Sequence, residues 1–277
     1  MLQSPLLIRQ YAERPGRVLA STLPYESRPA EQRRAKFDNG DSVVLVAHCA
    51  RDQSGRHKVT IASGFVLPVP EDPDEGPLIA TCAHTLEEVR NLERSPSWDG
   101  VSSGSFLVSG TAADLSVDPI SSIVSALPRS DILLLRSASR RANARRPPSV
   151  TLPVSPYPAA RGTAVRAHLV SHTRPLEAGW TPWVGGTWSR WVRGSVLAYR
   201  DFAGRETEPG TYDALAHMSF LPLPTPGSSG GPIVDEESGA VVGVVLGTRM
   251  DSRVDGVRGY GVPSETIYEM FSLPGLR

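Results

Sequence analysis

The apolar residues of this chain come in short runs, each cut off by a cluster of turn residues. Residues 42–49 (SVVLVAHC), 58–67 (KVTIASGFVL), 78–82 (LIATC) and 131–136 (DILLLR) are rich in β-branched and aliphatic side chains, and DQSG and EDPDEG lie between them. Runs of this length bounded by Gly, Pro, Asp and Ser predict β-strands joined by tight turns. The second half continues the pattern at 163–170, 192–199, 213–220, 232–234 and 240–246. With 25 glycines and 25 prolines in 277 residues, turns are frequent enough to rule out a mainly helical fold. Helical spacing occurs at His84–Leu92, and at Ser264–Phe271, where Ser264 is placed to cap a helix that closes the chain. The result is an all-β chain with two sets of about four to six strands, each set the size of a small closed barrel.

The chain divides accordingly. Residues 1–36 form a basic N-terminal extension with six Arg and Lys36 against Glu13, Glu26 and Glu31. Residues 37–139 form the first barrel and 151–277 the second with its closing helix. The polar stretch RRANARRPPS within 140–150 reads as the linker. The extension is expected to lie on the surface and to be dispensable. Its longest apolar run is too short for a secretory signal, so an intracellular protein is expected over a secreted one, with a weak resemblance to a mitochondrial targeting segment. No apolar run reaches the roughly 18 residues of a membrane span. A formal net charge of zero argues against a polyanion binder, and the linker arginines Arg140, Arg141, Arg145 and Arg146 lack the interleaved aromatics of a nucleic-acid site. Nothing in the sequence specifies an oligomeric state.

Chemistry concentrates in three places. PTPGSSGGPIV surrounds Ser229 with Gly227, Gly230 and Gly231, so backbone can approach a ligand closely there. A serine hydroxyl is a weak nucleophile without an adjacent base, and His84 in IATCAHT is the candidate. A third group must orient that base, and Asp131 in SDILLLR is placed to do so. The chain order His, Asp, Ser is one of the known orders of such a triad.

These segments resemble those of trypsin-like serine proteases, most closely the bacterial and HtrA-type branch. IATCAHT, SDILLL and PGSSGGP resemble the family's histidine, aspartate and serine motifs, and ASGFVL its glycine-containing strand. VVGVVLGT and GYGVPSE resemble the segments walling the substrate pocket. The resemblance covers about residues 38–272. It implies two packed six-stranded antiparallel barrels with the site between them. It implies Ser229 as nucleophile, His84 as general acid–base and Asp131 as its orienter. The N–H groups of Gly227 and Ser229 would form the oxyanion hole, and Leu223, Thr225, Thr248 and Gly259 the substrate pocket. The implied partner is a polypeptide substrate, and no metal or cofactor is expected.

Three departures matter. Ser228 stands where digestive relatives carry an aspartate that pairs with a new N-terminus, so activation by cleavage is not expected. Leu246 stands where many relatives have a serine that donates to the aspartate. Unlike most HtrA-type relatives, the protein is expected to carry no PDZ module after residue 277. Without an acid between Ser219 and Ser229, the pocket is expected to prefer apolar residues. Cys49 and Cys82 are expected to be free thiols, Cys82 as a small buried hydrophobe. Trp180, Trp183, Trp188 and Trp191 read as a hairpin around Gly185-Gly186 packed on the second barrel. The competing reading is a catalytically weak binding module that grips through that hairpin.

Overall fold

The computed structural model describes residues 4–37, 42–70, 75–95, 97–98, 100–111, 114–138, 150–252 and 256–273. Its first half is a closed antiparallel barrel of six strands: β1 (Val43–Arg51), β2 (His57–Val66), β3 (Leu78–Cys82), β4 (Ser102–Thr111), β5 (Asp114–Leu127) and β6 (Ile132–Ser137). They run in the spatial order β1-β2-β3-β6-β5-β4, and β4 pairs back onto β1. The second half contains β7 (Ala164–Ser171), β8 (Thr181–Pro182), β9 (Trp188–Arg200), β10 (Glu206–Thr207), β11 (His217–Leu221), β12 (Pro232–Asp235), β13 (Val241–Ser252) and β14 (Gly256–Pro263). Pairing of β7 with β9 closes β9-β11-β14-β13-β12-β7 into a second six-stranded ring, with β8 and β10 at its margin. The double barrel implied by the resemblance is therefore present. Closure removes the exposed edges that short strands would otherwise present.

The barrels fill with the alternating residues of their strands. Val46, Phe65, Ile79, Leu133 and Leu135 are buried in the first, and Val165, Met218, Phe220, Ile233 and Val245 in the second. One apolar cluster runs from the first barrel through Val241, Val244 and Leu246 to Ile267 and Phe271, so the two halves share a core. No helix among the described residues is long and apolar enough to cross a membrane.

Several expectations need correcting. β4 and β5 were not marked by the sequence, because SSGSFLVSGT and DLSVDPISSIVSAL mix small polar residues into the strands. The closing helix is only α3 (Glu265–Tyr268), and Ser264 does not cap it. Its hydroxyl instead donates to the Ser155 carbonyl at 2.7 Å. The linker lies outside the described residues except for Val150.

The N-terminal extension is part of the core. Helix α1 (Ser4–Glu13) places Leu7 and Tyr11 one turn apart, and both are fully buried against the first barrel. Beyond it, Gly16 bonds to Ala126, and Leu19 exchanges backbone hydrogen bonds with Met270 and Ser272. The segment thus straps the second half to the first. Most basic residues stay at the surface while Leu7, Tyr11, Leu19 and Leu23 point inward, which a charge count does not reveal.

The tryptophan hairpin also packs differently. β8 pairs with the start of β9 around a tight turn at Val184–Gly186. Trp183 and Val184 reach across to Val43, Leu45 and Ala47 of the first barrel. Trp183 and Trp191 enclose the buried His168 ring at 4.9 and 5.1 Å. None of the four tryptophans is exposed, which leaves no aromatic ledge on this hairpin.

Candidate active site

His84 is the first residue of helix α2 (His84–Glu93), directly after β3. A helix start leaves backbone N–H groups unpaired, and Ala83 supplies no side-chain cap. The cap comes from Asp131, at the entry to β6. Its Oδ1 accepts the N–H groups of Ala83 (2.9 Å) and His84 (2.7 Å), and its Oδ2 accepts the His84 Nδ1 proton at 2.6 Å. Asp131 is the one non-glycine residue with positive φ among those described, at 57°. A conformation that costs a residue of this type free energy persists where surrounding structure over-determines it. Asp131 thus finds its further donors in backbone N–H groups, Leu246 having no side-chain donor to offer.

The bond to Asp131 is the main cause of a raised His84 pKa, followed by the contact of Nε2 with Cys82 Sγ at 3.8 Å. Together they push it up to about 11, against the opposing effect of burial. Cys82 is a fully buried free thiol, and Cys49 is also free.

The Ser229 turn packs directly on β3. A Cβ on Gly230 would meet Thr81 Oγ1 at 2.5 Å and Cys82 N at 2.8 Å, so only glycine lets the turn come this close to the strand before His84. Ser63 N donates to Ser229 O at 2.7 Å, and Ser63 Oγ to Gly227 O at 2.8 Å. Ser228 N, Gly230 N and Gly231 N all find carbonyl partners. The N–H groups of Gly227 and Ser229 donate no hydrogen bond among the described residues. Two unpartnered donors, two residues apart in an otherwise satisfied turn, are what an oxyanion requires. Gly227 has φ 91°, and a side chain there would run into His172.

Ser229 Oγ donates to Leu246 O at 2.9 Å and not to His84. The structure thus brings together the His84–Asp131 pair and the Ser229 turn, with the hydroxyl turned toward β13.

The four expected pocket residues have unequal places. Thr248 and Gly259 lie opposite each other on β13 and β14. A Cβ on Gly259 would meet Phe220 O at 2.8 Å, so glycine there permits close strand packing. Thr225 Oγ1 donates to Val170 O at 2.5 Å and so turns toward β7. Leu223 is exposed at 45%. The small cavity beside Gly259 holds Asp251, whose carboxylate is taken by Arg200 and Arg258. A larger cavity of about 660 Å³ lies on the outer face of the first barrel, around Cys49, Val59 and Phe106, and contains none of these residues.

Sequence reading passed over Ser63 and the role of Thr225. Each is a hydroxyl beside a recognised motif, and only the tertiary fold gives it a partner.

A double barrel with a histidine–aspartate pair and a glycine-bounded serine turn defines the chymotrypsin-like class of hydrolases. Residues 62–244, well over half of the chain, match the trypsin-like peptidase domain, and the chain belongs to that family. Such a protease acts on polypeptides. A solved thermostable serine protease, AL20 from an extremophilic microorganism, aligns at 13% identity with a TM-score of 0.48, over 83% of this chain and 96% of that one. A search of curated proteins found no match.

Proposed function

We propose that this protease is a serine endopeptidase in which Ser229 is the nucleophile, His84 the general acid–base and Asp131 the residue that orients it. The observation that carries the reading is the pair of N–H groups at Gly227 and Ser229 that have no partner among the described residues, in a turn seated on the strand that leads to His84. Ser229 Oγ leaves Leu246 O by rotation about its side-chain bond and hands its proton to His84 Nε2 as it attacks the scissile carbonyl. The Gly227 and Ser229 N–H groups hold the resulting oxyanion. His84 then returns the proton to the leaving amine, and water cleaves the acyl-enzyme by the same steps. Asp131 stays ionised and stabilises the imidazolium.

The residue before the cut bond is expected to be apolar. Asp251 lines the small cavity with Gly259, and its two arginine partners leave it unavailable to a substrate cation. A buried unpaired cation on the substrate would be costly.

A fluorophosphonate probe tests the nucleophile, and a peptide library tests cleavage. The expected result is covalent labelling at Ser229, lost in Ser229→Ala, with cleavage after apolar residues. Folded protein that takes no label and cuts no peptide would overturn the assignment.

A further inference from the structure

We propose that Thr225 and Ser228 are positioning residues that hold the oxyanion turn through a closed, charge-free ring of hydrogen bonds. The proposal rests on the reading that the Gly227 and Ser229 N–H groups receive the oxyanion.

The ring follows from counting protons. Each hydroxyl carries one proton. Thr225 Oγ1 donates its proton to Val170 O at 2.5 Å. Ser228 Oγ accepts the Val170 N–H at 2.9 Å. The two hydroxyl oxygens are themselves 2.9 Å apart, and with the Thr225 proton already committed, Ser228 is the donor between them. The direction is therefore fixed: Val170 N–H to Ser228 Oγ, Ser228 O–H to Thr225 Oγ1, Thr225 O–H to Val170 C=O. Every donor and acceptor in the circuit is used once.

Strand ends explain why the ring exists. β12 pairs with β7 as far as Ile233 opposite Ala167, and the chain before Pro232 leaves the sheet to form the Ser229 turn. Val170 lies three residues further along β7 and is fully buried. Its N–H and C=O on this edge have lost their strand partner, and a buried backbone group left unpaired is costly. The two hydroxyls stand in for the missing strand. In doing so they anchor the turn at Ser228, which is fully buried and lies between the two oxyanion donors. From the other side, Ser63 of the first barrel holds the carbonyls of Gly227 and Ser229. The turn is clamped between the barrels with no ion pair among the described residues, so its geometry needs no liberated chain terminus.

The test compares Thr225→Val, Thr225→Ser and Ser228→Ala with the wild type. The readouts are kcat, KM, the melting temperature and the affinity for a peptide aldehyde, whose adduct carries the oxyanion. Thr225→Val keeps the shape but removes the proton from Val170 O and the acceptor from Ser228. Its kcat is expected to fall about 100-fold, as for loss of one oxyanion donor. KM should stay within about threefold, and aldehyde affinity should weaken in parallel with kcat/KM. Thr225→Ser restores the ring and should recover to within about threefold of wild type. Ser228→Ala removes one oxygen and serves if Thr225→Val does not fold. A working wild type whose folded variants keep kcat within about threefold overturns the ring alone, as does a melting loss with unchanged kcat in the folded fraction. A wild type that neither labels at Ser229 nor cleaves peptide overturns the functional reading, and this one with it.

Discussion

Asp131 holds His84 at two atoms, taking its ring proton on one carboxylate oxygen and its backbone N–H on the other. The imidazole is thereby fixed in orientation and tautomer, with Nδ1 protonated and Nε2 directed away from the carboxylate. The same carboxylate caps helix α2, so orientation of the imidazole and local folding depend on one residue.

Asp131→Asn separates these roles. The amide can still accept one backbone N–H, but it offers the ring an uncharged partner and permits the wrong tautomer. A fall in kcat of roughly 10⁴ is expected with KM little changed. A modest loss of melting temperature should accompany it, since a charged cap contributes on the order of 1 kcal/mol. Steady-state kinetics and thermal melts check this. A variant with near wild-type kcat would remove Asp131 from the mechanism.

In the proposed mechanism the raised His84 pKa sets the acid limb of activity. A general base must be unprotonated, so kcat/KM should rise with pH, with a midpoint above the ordinary histidine value of about 6.5. Asp131→Asn should bring the midpoint down toward that value, and Cys82→Ala should lower it by less, following the order of the two causes. Stability runs the opposite way. The pairing of imidazolium with Asp131 is fully present below about 6.5 and is lost as pH rises through the folded value near 11. A pH–rate profile with a midpoint at or below 6.5 would contradict the coupling.

The motifs were legible because their constraints are local. A serine turn that must expose two N–H groups calls for glycines at fixed offsets, and IATCAHT must end a strand and begin a helix at one residue. The long-range partners were not legible. The further donors to Asp131 are a pair of backbone N–H groups, which no sequence position records. The hydroxyls of Thr225 and Ser228 acquire meaning only from Val170, more than fifty residues away. β4 and β5 hide in Ser-rich sequence because closure of the barrel, not local propensity, makes them strands.

Removal of residues 1–36 is expected to unfold the protein or lower its melting temperature strongly, against the dispensability that charge alone suggests. Leu7, Tyr11, Leu19 and Leu23 are all buried. At roughly 1.5–3 kcal/mol each, their burial rivals the whole stability of a typical domain. Tyr11→Phe is a milder probe. It removes only the hydroxyl that donates to Glu87 of α2 at 2.5 Å and should cost about 1 kcal/mol. Calorimetry of both forms decides, and a truncated chain with wild-type melting would show the strap to be superficial.

Acid should loosen the hairpin that joins the barrels. His168 is fully buried between Trp183 and Trp191, and neither ring nitrogen has a hydrogen-bond partner among the described residues. Burial pushes its pKa down to about 3, and that of His48 to about 4. Both rings are therefore neutral in the folded state while the unfolded chain protonates below about 6.5. Below that pH the unfolded state binds the extra protons, so stability falls progressively until the folded values near 4 and 3 are reached. Chemical denaturation followed by tryptophan fluorescence should show a falling midpoint between about pH 6.5 and 4. Trp183 and Trp191 lie against the ring that must take up the charge. His168→Phe keeps an aromatic between the two indoles but cannot protonate, so its midpoint should fall less steeply over the same range. An unchanged slope in His168→Phe would place the acid sensitivity elsewhere, with His48 as the next residue to replace.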